Sequence, residues 1–148
     1  MENAMTAGSF GLSTGLEYES GRYATMQELA AIAKTVAEKD GIAMSHLRSE
    51  DNDHIEEAVS ELIQQGRESG ARVHISHIKI VYANQVDRAS DVLALMEQAR
   101  QNGVRITADL YPYTASYTGI GIVFPDWITS SNFERLKETR RAELEQYL

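Results

Sequence analysis

Ser45-His46-Leu47-Arg48 and Ser76-His77-Ile78-Lys79 are two versions of one tetrapeptide, each closing a short apolar run, with 31 residues from one histidine to the next. That interval is the length of one strand-loop-helix unit. If each run is a parallel strand, both imidazoles stand at the carboxyl ends of neighbouring strands, where α/β barrels and open α/β sheets carry their chemistry. A lone strand-end histidine is more often a hydrogen-bonded polar residue than a ligand. The repeated Ser-His-aliphatic-basic pattern instead favours one metal ion shared by two neutral imidazoles.

Outward from these motifs, three segments repeat one plan: an amphipathic helix, a turn glycine, then a short strand ending in polar residues. The first runs from Thr25 to Arg48, with Thr25 and Glu28 as a capping box, Leu29, Ile32, Ala33 and Val36 as the apolar stripe, Gly41 as the stop and Ile42 to Arg48 as the strand. In the second, Asp53 and Glu56 form the box, Ile55, Val59, Leu62 and Ile63 the stripe, and Gly70 precedes a strand from Val73 to Lys79. The third has Val92, Leu95, Met96 and Ala99, then Gly103, then Val104 to Tyr111. An earlier strand lies in Phe10 to Leu16. After the third, a loop from Tyr111 to Asp126 leads to a polar helix, Asn132 to Leu148, with Ser131 and Glu134 as its cap. Alternating strands and helices imply a parallel sheet with right-handed crossovers.

Side chains alternate along a strand, which places His46 with Arg48 on one face, His77 with Lys79 on one, and Asp109 with Tyr111 on one. His74 then falls opposite His77, and His54 in the first turn of a helix; both read as structural or solvated. Arg48 and Lys79 bring positive charge near the histidines, Arg as a bidentate fork and Lys as a compact charge suited to a substrate carboxylate. Asp109 holds the place corresponding to the histidines, as ligand, general base or outer acceptor. Glu17-Tyr18 and Tyr111-Pro112-Tyr113 are weaker signals, since loop aromatics more often pack than catalyse.

Composition narrows the class. The chain has 148 residues, 43% hydrophobic and 24% charged, enough for one domain with a sizeable core. Its 22 acidic against 14 basic residues give a net charge of −8, which argues against a nucleic-acid partner. No apolar run approaches the ~20 residues of a membrane span and no signal-peptide pattern opens the chain, so no membrane partner and a cytoplasmic setting are expected. There is no cysteine, so any metal is held by His, Asp or Glu.

Gly11-Leu12-Ser13-Thr14-Gly15-Leu16-Glu17-Tyr18, Gly21-Arg22-Tyr23-Ala24, Ser45-His46-Leu47-Arg48-Ser49-Glu50, Ile75-Ser76-His77-Ile78-Lys79 and Asp109-Leu110-Tyr111-Pro112-Tyr113-Thr114-Ala115-Ser116 occur in this order in the N-acyl-D-amino-acid deacylases (D-aminoacylases) of the amidohydrolase superfamily. The chain resembles that family over about residues 1 to 120. The resemblance implies a metal-dependent (β/α)8 TIM barrel that hydrolyses the amide of N-acyl-D-amino acids, a small-molecule substrate, with Zn2+ as the metal and one or two ions in the parent protein. It implies that His46 and His77 bind the metal from the fifth and sixth strands, that Lys79 meets the substrate carboxylate, and that Tyr18 and Tyr111 line the pocket. Arg48 is the further substrate-binding candidate.

The family's early-strand His-x-His pair, its bridging cysteine and its late-strand catalytic aspartate have no counterpart here, so no catalytic residue is identified in this segment. The reading is therefore an α/β fold, a partial barrel of about strands four to seven with their helices, forming a single partial domain over 1–148, an internal fragment of a longer hydrolase. Two alternatives stay open. One is a catalytically inactive structural half-barrel whose bare strand edges make it a homo-oligomer. The other is a cyclic amidase parent of the dihydroorotase or hydantoinase kind, although no lysine precedes Lys34 to serve as the bridging group typical of those enzymes.

Overall fold

Four strands, β1 (Gly11–Gly15), β2 (Ile42–His46), β3 (Arg72–Ile75) and β4 (Ile106–Ala108), lie side by side in sequence order, and every neighbouring pair is parallel. Parallel neighbours cannot be joined by tight turns. The crossovers are the helices α2 (Met26–Ala37), α3 (Ile55–Ser69) and α4 (Arg88–Gln101), with a short α1 (Glu2–Thr6) ahead of β1. Sequential parallel strands with a helix between each pair are the arrangement of a partial (β/α)8 barrel. The computed structural model describes residues 1–81 and 88–148.

The strand registers align Ser13, Met44, His74 and Thr107 in one row across the sheet, and Thr14, Ser45, Ile75 and Ala108 in the next. Because side chains alternate, the two rows face opposite ways. Ala43, Val73, Ile75 and Ile106 point into the core and are exposed by 1% or less. There they meet the stripes of the helices: Ala33 from α2, Ile55, Val59, Leu62 and Ile63 from α3, and Val92, Met96 and Ala99 from α4. Ile42, Met44, His74 and Thr107 occupy the other face and remain partly or fully exposed.

Local signals were met unevenly. Thr25 and Glu28 form the expected reciprocal box at the start of α2. Gly70 caps α3 at φ +73° and Gly103 follows α4 at φ +83°, both in the left-handed region that favours glycine. At the end of α2 the positive φ falls instead on Asp40, and Gly41 is needed for closeness, since a Cβ there would stand 2.7 Å from Met5 Cε and Val36 Cγ1. The Asp53–Glu56 box is not formed. His54 is the N-cap of α3 without a side-chain bond, its first turn is held by the Asp51 carbonyl, and Glu56 pairs with Arg88 at 2.6 Å.

All four strands are shorter than the apolar runs suggested. β3 stops at Ile75 because Ser76 and His77 turn, with His77 at φ +42° and its N–H donating to the Asp109 carboxylate. Arg48, His77, Lys79, Asp109 and Tyr111 thus lie beyond the strand ends, where two-residue alternation no longer governs direction.

The chain divides into two compact units, Met1–Tyr111 and Pro112–Leu148. In the second, Phe124, Ile128, Leu136 and Leu144 form a small core with Phe133 packed against it. The expected long helix is broken into α5 (Phe133–Thr139) and α6 (Arg141–Leu144) at Arg140, whose φ of −138° is not helical. Its N-cap is Asn132, not Ser131, and the Asn132 side chain instead bridges the Thr129 N–H and the Trp127 carbonyl.

Candidate metal centre

His46 is the last residue of β2 and points to the open face, yet is only 8% exposed. Three residues cover it. Tyr18, from the loop after β1, lies with its ring 4.7 Å from the imidazole; Glu17 places Oε2 2.6 Å from His46 Nε2; and His77 meets it edge-on at 4.7 Å between centroids. The β1–β2 register makes this possible: Gly15 is aligned with His46, so the residues just after Gly15 arrive at the height of the ring.

His77 reaches the same point from its turn. His46 Nδ1 and His77 Nε2 face each other at 3.1 Å. Two nitrogens on one tetrahedral zinc, each bonded at about 2.0–2.1 Å, stand ~3.3 Å apart, so the pair has the spacing of two ligands. Glu50, on the segment after β2, is 4% exposed, with Oε1 3.2 Å from His77 Nδ1 and Oε2 2.5 Å from Lys79 Nζ. One donor atom from each of His46, Glu50 and His77 can be chosen so that all three lie within 4.8 Å of one another. Two facing imidazoles, with no thiolate, suit a borderline divalent ion such as zinc, and the buried Glu50 carboxylate backs His77 on its other ring nitrogen.

Lys79 Nζ is also 3.1 Å from His77 Nδ1 and 5.7 Å from the centre of the Tyr111 ring, which itself lies 6.4 Å from the His77 ring. His46, His77, Lys79, Tyr18 and Tyr111 therefore converge. Asp109 takes its place as an acceptor: one oxygen receives the His77 N–H, the other is 3.0 Å from His74 Nε2. The hydrogen bond from His74, and after it that from the His77 N–H, hold its carboxyl below the usual carboxylate range. His74 Nδ1 in turn is 2.7 Å from Thr107 Oγ1, so Asp109 and this histidine fix the turn that delivers His77.

Arg48 is not brought to this cluster. Its guanidinium grips Glu61 of α3 through Nε at 2.9 Å and Nη2 at 2.8 Å, and donates to the carbonyls of Arg22 and Ala24. The Glu61 hydrogen bond raises its pKa further above the usual guanidinium value. It ties the end of β2 to α3 and to the loop before α2. Sequence reasoning gave Glu17 only the weight of a weak signal beside Tyr18 and passed over Glu50 as a site residue. The signal for Glu17 was its place two residues past Gly15, at the carboxyl end of the strand next to His46. For Glu50 it was a carboxylate four residues past a candidate ligand.

No family model matches the chain. Among characterised proteins, it is 36% identical over 118 residues to an N-acyl-D-glutamate deacylase of Alcaligenes xylosoxydans xylosoxydans, which takes in 80% of this chain and 24% of that protein. Among solved structures, the N-acyl-D-glutamate deacylase of Bordetella bronchiseptica, complexed with zinc and a phosphonate mimic of the tetrahedral intermediate, superposes with a TM-score of 0.72 at 37% identity. The match covers 76% of this chain and 23% of that one. A D-aminoacylase described as defining a novel subset of amidohydrolases gives the same TM-score at 31% identity, over 78% of this chain and 24% of its own. The chain thus spans about a quarter of the length of the relatives it matches. Over that quarter sequence and parallel sheet agree, and the chain's homologues are N-acyl-D-amino-acid deacylases of the amidohydrolase type.

Proposed function

We propose that the protein to which this chain contributes hydrolyses the amide bond of N-acyl-D-amino acids, using a zinc ion held by His46 and His77. The observation that carries this reading is the opposition of His46 Nδ1 and His77 Nε2 at 3.1 Å. When bound, the ion supplies Lewis-acid polarisation of the acyl carbonyl and a water of lowered pKa. The chain's own residues bind and orient. The Lys79 ammonium, beside the histidines, is a compact charge for the substrate carboxylate, and Tyr18 and Tyr111 flank the pair. Two of the relatives are named N-acyl-D-glutamate deacylases, which makes an acidic side chain the first to try.

The test is release of the free D-amino acid from N-acetyl-D-glutamate by the zinc-loaded protein, alongside zinc uptake by the chain in chelator competition. Wild type should bind zinc, and His77→Ala should not. Hydrolysis unaffected by chelation, or equal zinc uptake by His77→Ala, would overturn the reading.

A second reading applies to the chain as it stands. Its open face carries the partly buried Ile42 and Met44, and among the described strands β1 and β4 each pair on one side only. Such surfaces favour association, so the 148-residue chain is proposed to be an inactive homo-oligomer of the 16.5 kDa unit, in a cytoplasmic setting. No described helix is long and apolar enough to cross a membrane.

A further inference from the structure

Each imidazole of the facing pair has a carboxylate on the nitrogen turned away from its partner. Glu17 Oε2 stands 2.6 Å from His46 Nε2, and Glu50 Oε1 3.2 Å from His77 Nδ1. A neutral imidazole carries a single N–H, whereas a carboxylate only accepts. Glu17 therefore draws the His46 proton to Nε2 and leaves a lone pair on Nδ1, the atom that faces His77. The Glu17 and His46 side chains are 16% and 9% exposed, so little water competes for that bond.

At His77 two neighbours compete for Nδ1. The Lys79 ammonium, a donor only, is 3.1 Å away, and Glu50, an acceptor, is 3.2 Å away. With Lys79 on Nδ1, the His77 proton sits on Nε2 and is donated to His46 Nδ1, which closes the pair against a metal. With Glu50 accepting, the proton sits on Nδ1 and a second lone pair faces the first. Glu50 Oε2 already holds Lys79 Nζ at 2.5 Å, so the ammonium keeps a partner when it leaves the ring.

We propose that Glu17 and Glu50 are positioning residues that set the tautomers of the two histidines: Glu17 fixes His46 in both states, and Glu50 takes over His77 Nδ1 from Lys79 when a divalent cation enters. This rests on the reading of His46 and His77 as metal ligands. Outer carboxylates of this kind orient ligating histidines and raise their basicity, and their loss costs about 10- to 100-fold in metal affinity.

Long-range 1H–15N spectra of the imidazoles, recorded on the whole chain without metal and after adding zinc, read the tautomers directly. In the metal-free wild type, His46 should carry its proton on Nε2. After zinc, His77 should carry its proton on Nδ1. Glu17→Leu should mix the His46 tautomers and weaken zinc binding about 10- to 100-fold, whereas Glu17→Gln, which keeps an acceptor, should hold the tautomer and lose less. Circular dichroism confirms that each variant is folded. A metal-free wild type with His46 protonated on Nδ1, or a folded Glu17→Leu with wild-type tautomer and affinity, overturns the Glu17 assignment. His77 protonated on Nε2 in the zinc-bound state overturns that of Glu50. A wild type with His46 protonated on Nε2 that takes up no zinc upholds Glu17 while removing the metal reading and the Glu50 switch.

Discussion

The two faces of the sheet are built from alternate residues of the same strands and have opposite chemistry. Toward the helices stand Ala43, Val73, Ile75 and Ile106, aliphatic and exposed by 1% or less. On the other face stand Met44, His74 and Thr107, where the polar pair is hydrogen-bonded and the methionine is half-buried. The covered face can be dry because it asks nothing of its side chains but volume. The open face carries groups whose energy lies in hydrogen bonds, and at its carboxyl edge it delivers His46 to the cluster. In this unit the covered face holds the stability and the open face the chemistry.

Truncation on each face is the strongest way to break this comparison. Ile75→Ala removes a side chain of zero exposure from the largest cluster and should cost about 2–5 kcal/mol. Met44→Ala, in the neighbouring row of β2, should cost about 1 kcal/mol or less. Urea unfolding followed by circular dichroism gives both numbers. Equal losses would mean that the open face is packed in solution as tightly as the covered one.

This division explains what could be read from the sequence. The covered face was legible because burial imposes a period: the stripes at Leu29, Ala33 and Val36, and at Ile55, Val59 and Leu62, repeat as helices must and are buried. The convergence of His46 and His77 was legible because their motif repeats with the structural unit. The routes by which they converge were not. His77 gets there through a left-handed turn held by Asp109, a tertiary contact with no local signature. Alternation, extended past Ile75, placed His74 opposite His77, whereas the strand has already ended and His74 lies in the row of Met44, on the face that His46 shares. Arg48 looked like a free cation only because Glu61, thirteen residues on, is invisible as a partner until α3 packs.

Enlarging a side chain probes the same contrast more gently. Gly66 lies on the α3 face that meets the sheet, and a Cβ there would stand 3.0 Å from Val73 Cγ2 and Val104 Cγ1. Gly66→Leu should therefore overpack the covered face and cost about 1–3 kcal/mol. Ser13→Leu, on the exposed row aligned with Met44, should stay within about 0.5 kcal/mol. A thermal melt of each variant checks the pair, and a tolerant Gly66 would show that α3 can lift from the sheet without loss.

The smallest effect is expected at the outer end of a crossover helix, where neither face is involved. Thr25 Oγ1 accepts the Glu28 N–H at 3.3 Å, and Glu28 Oε2 accepts the Thr25 N–H at 2.8 Å. Thr25→Ala removes the cap from α2 and should cost about 1 kcal/mol at neutral pH. The bond from the Thr25 N–H, followed by that from its hydroxyl, holds the Glu28 carboxyl below its ordinary value of 4.5. A carboxyl lowered in the folded state stabilises the fold above its unfolded value, and that contribution is lost as pH falls through the folded one. The gap between wild type and Glu28→Gln in urea unfolding should therefore be constant from neutrality down to about pH 5 and close below about pH 4.5. A gap that persisted at pH 3 would assign the effect of Glu28 to packing at the helix start rather than to its charge.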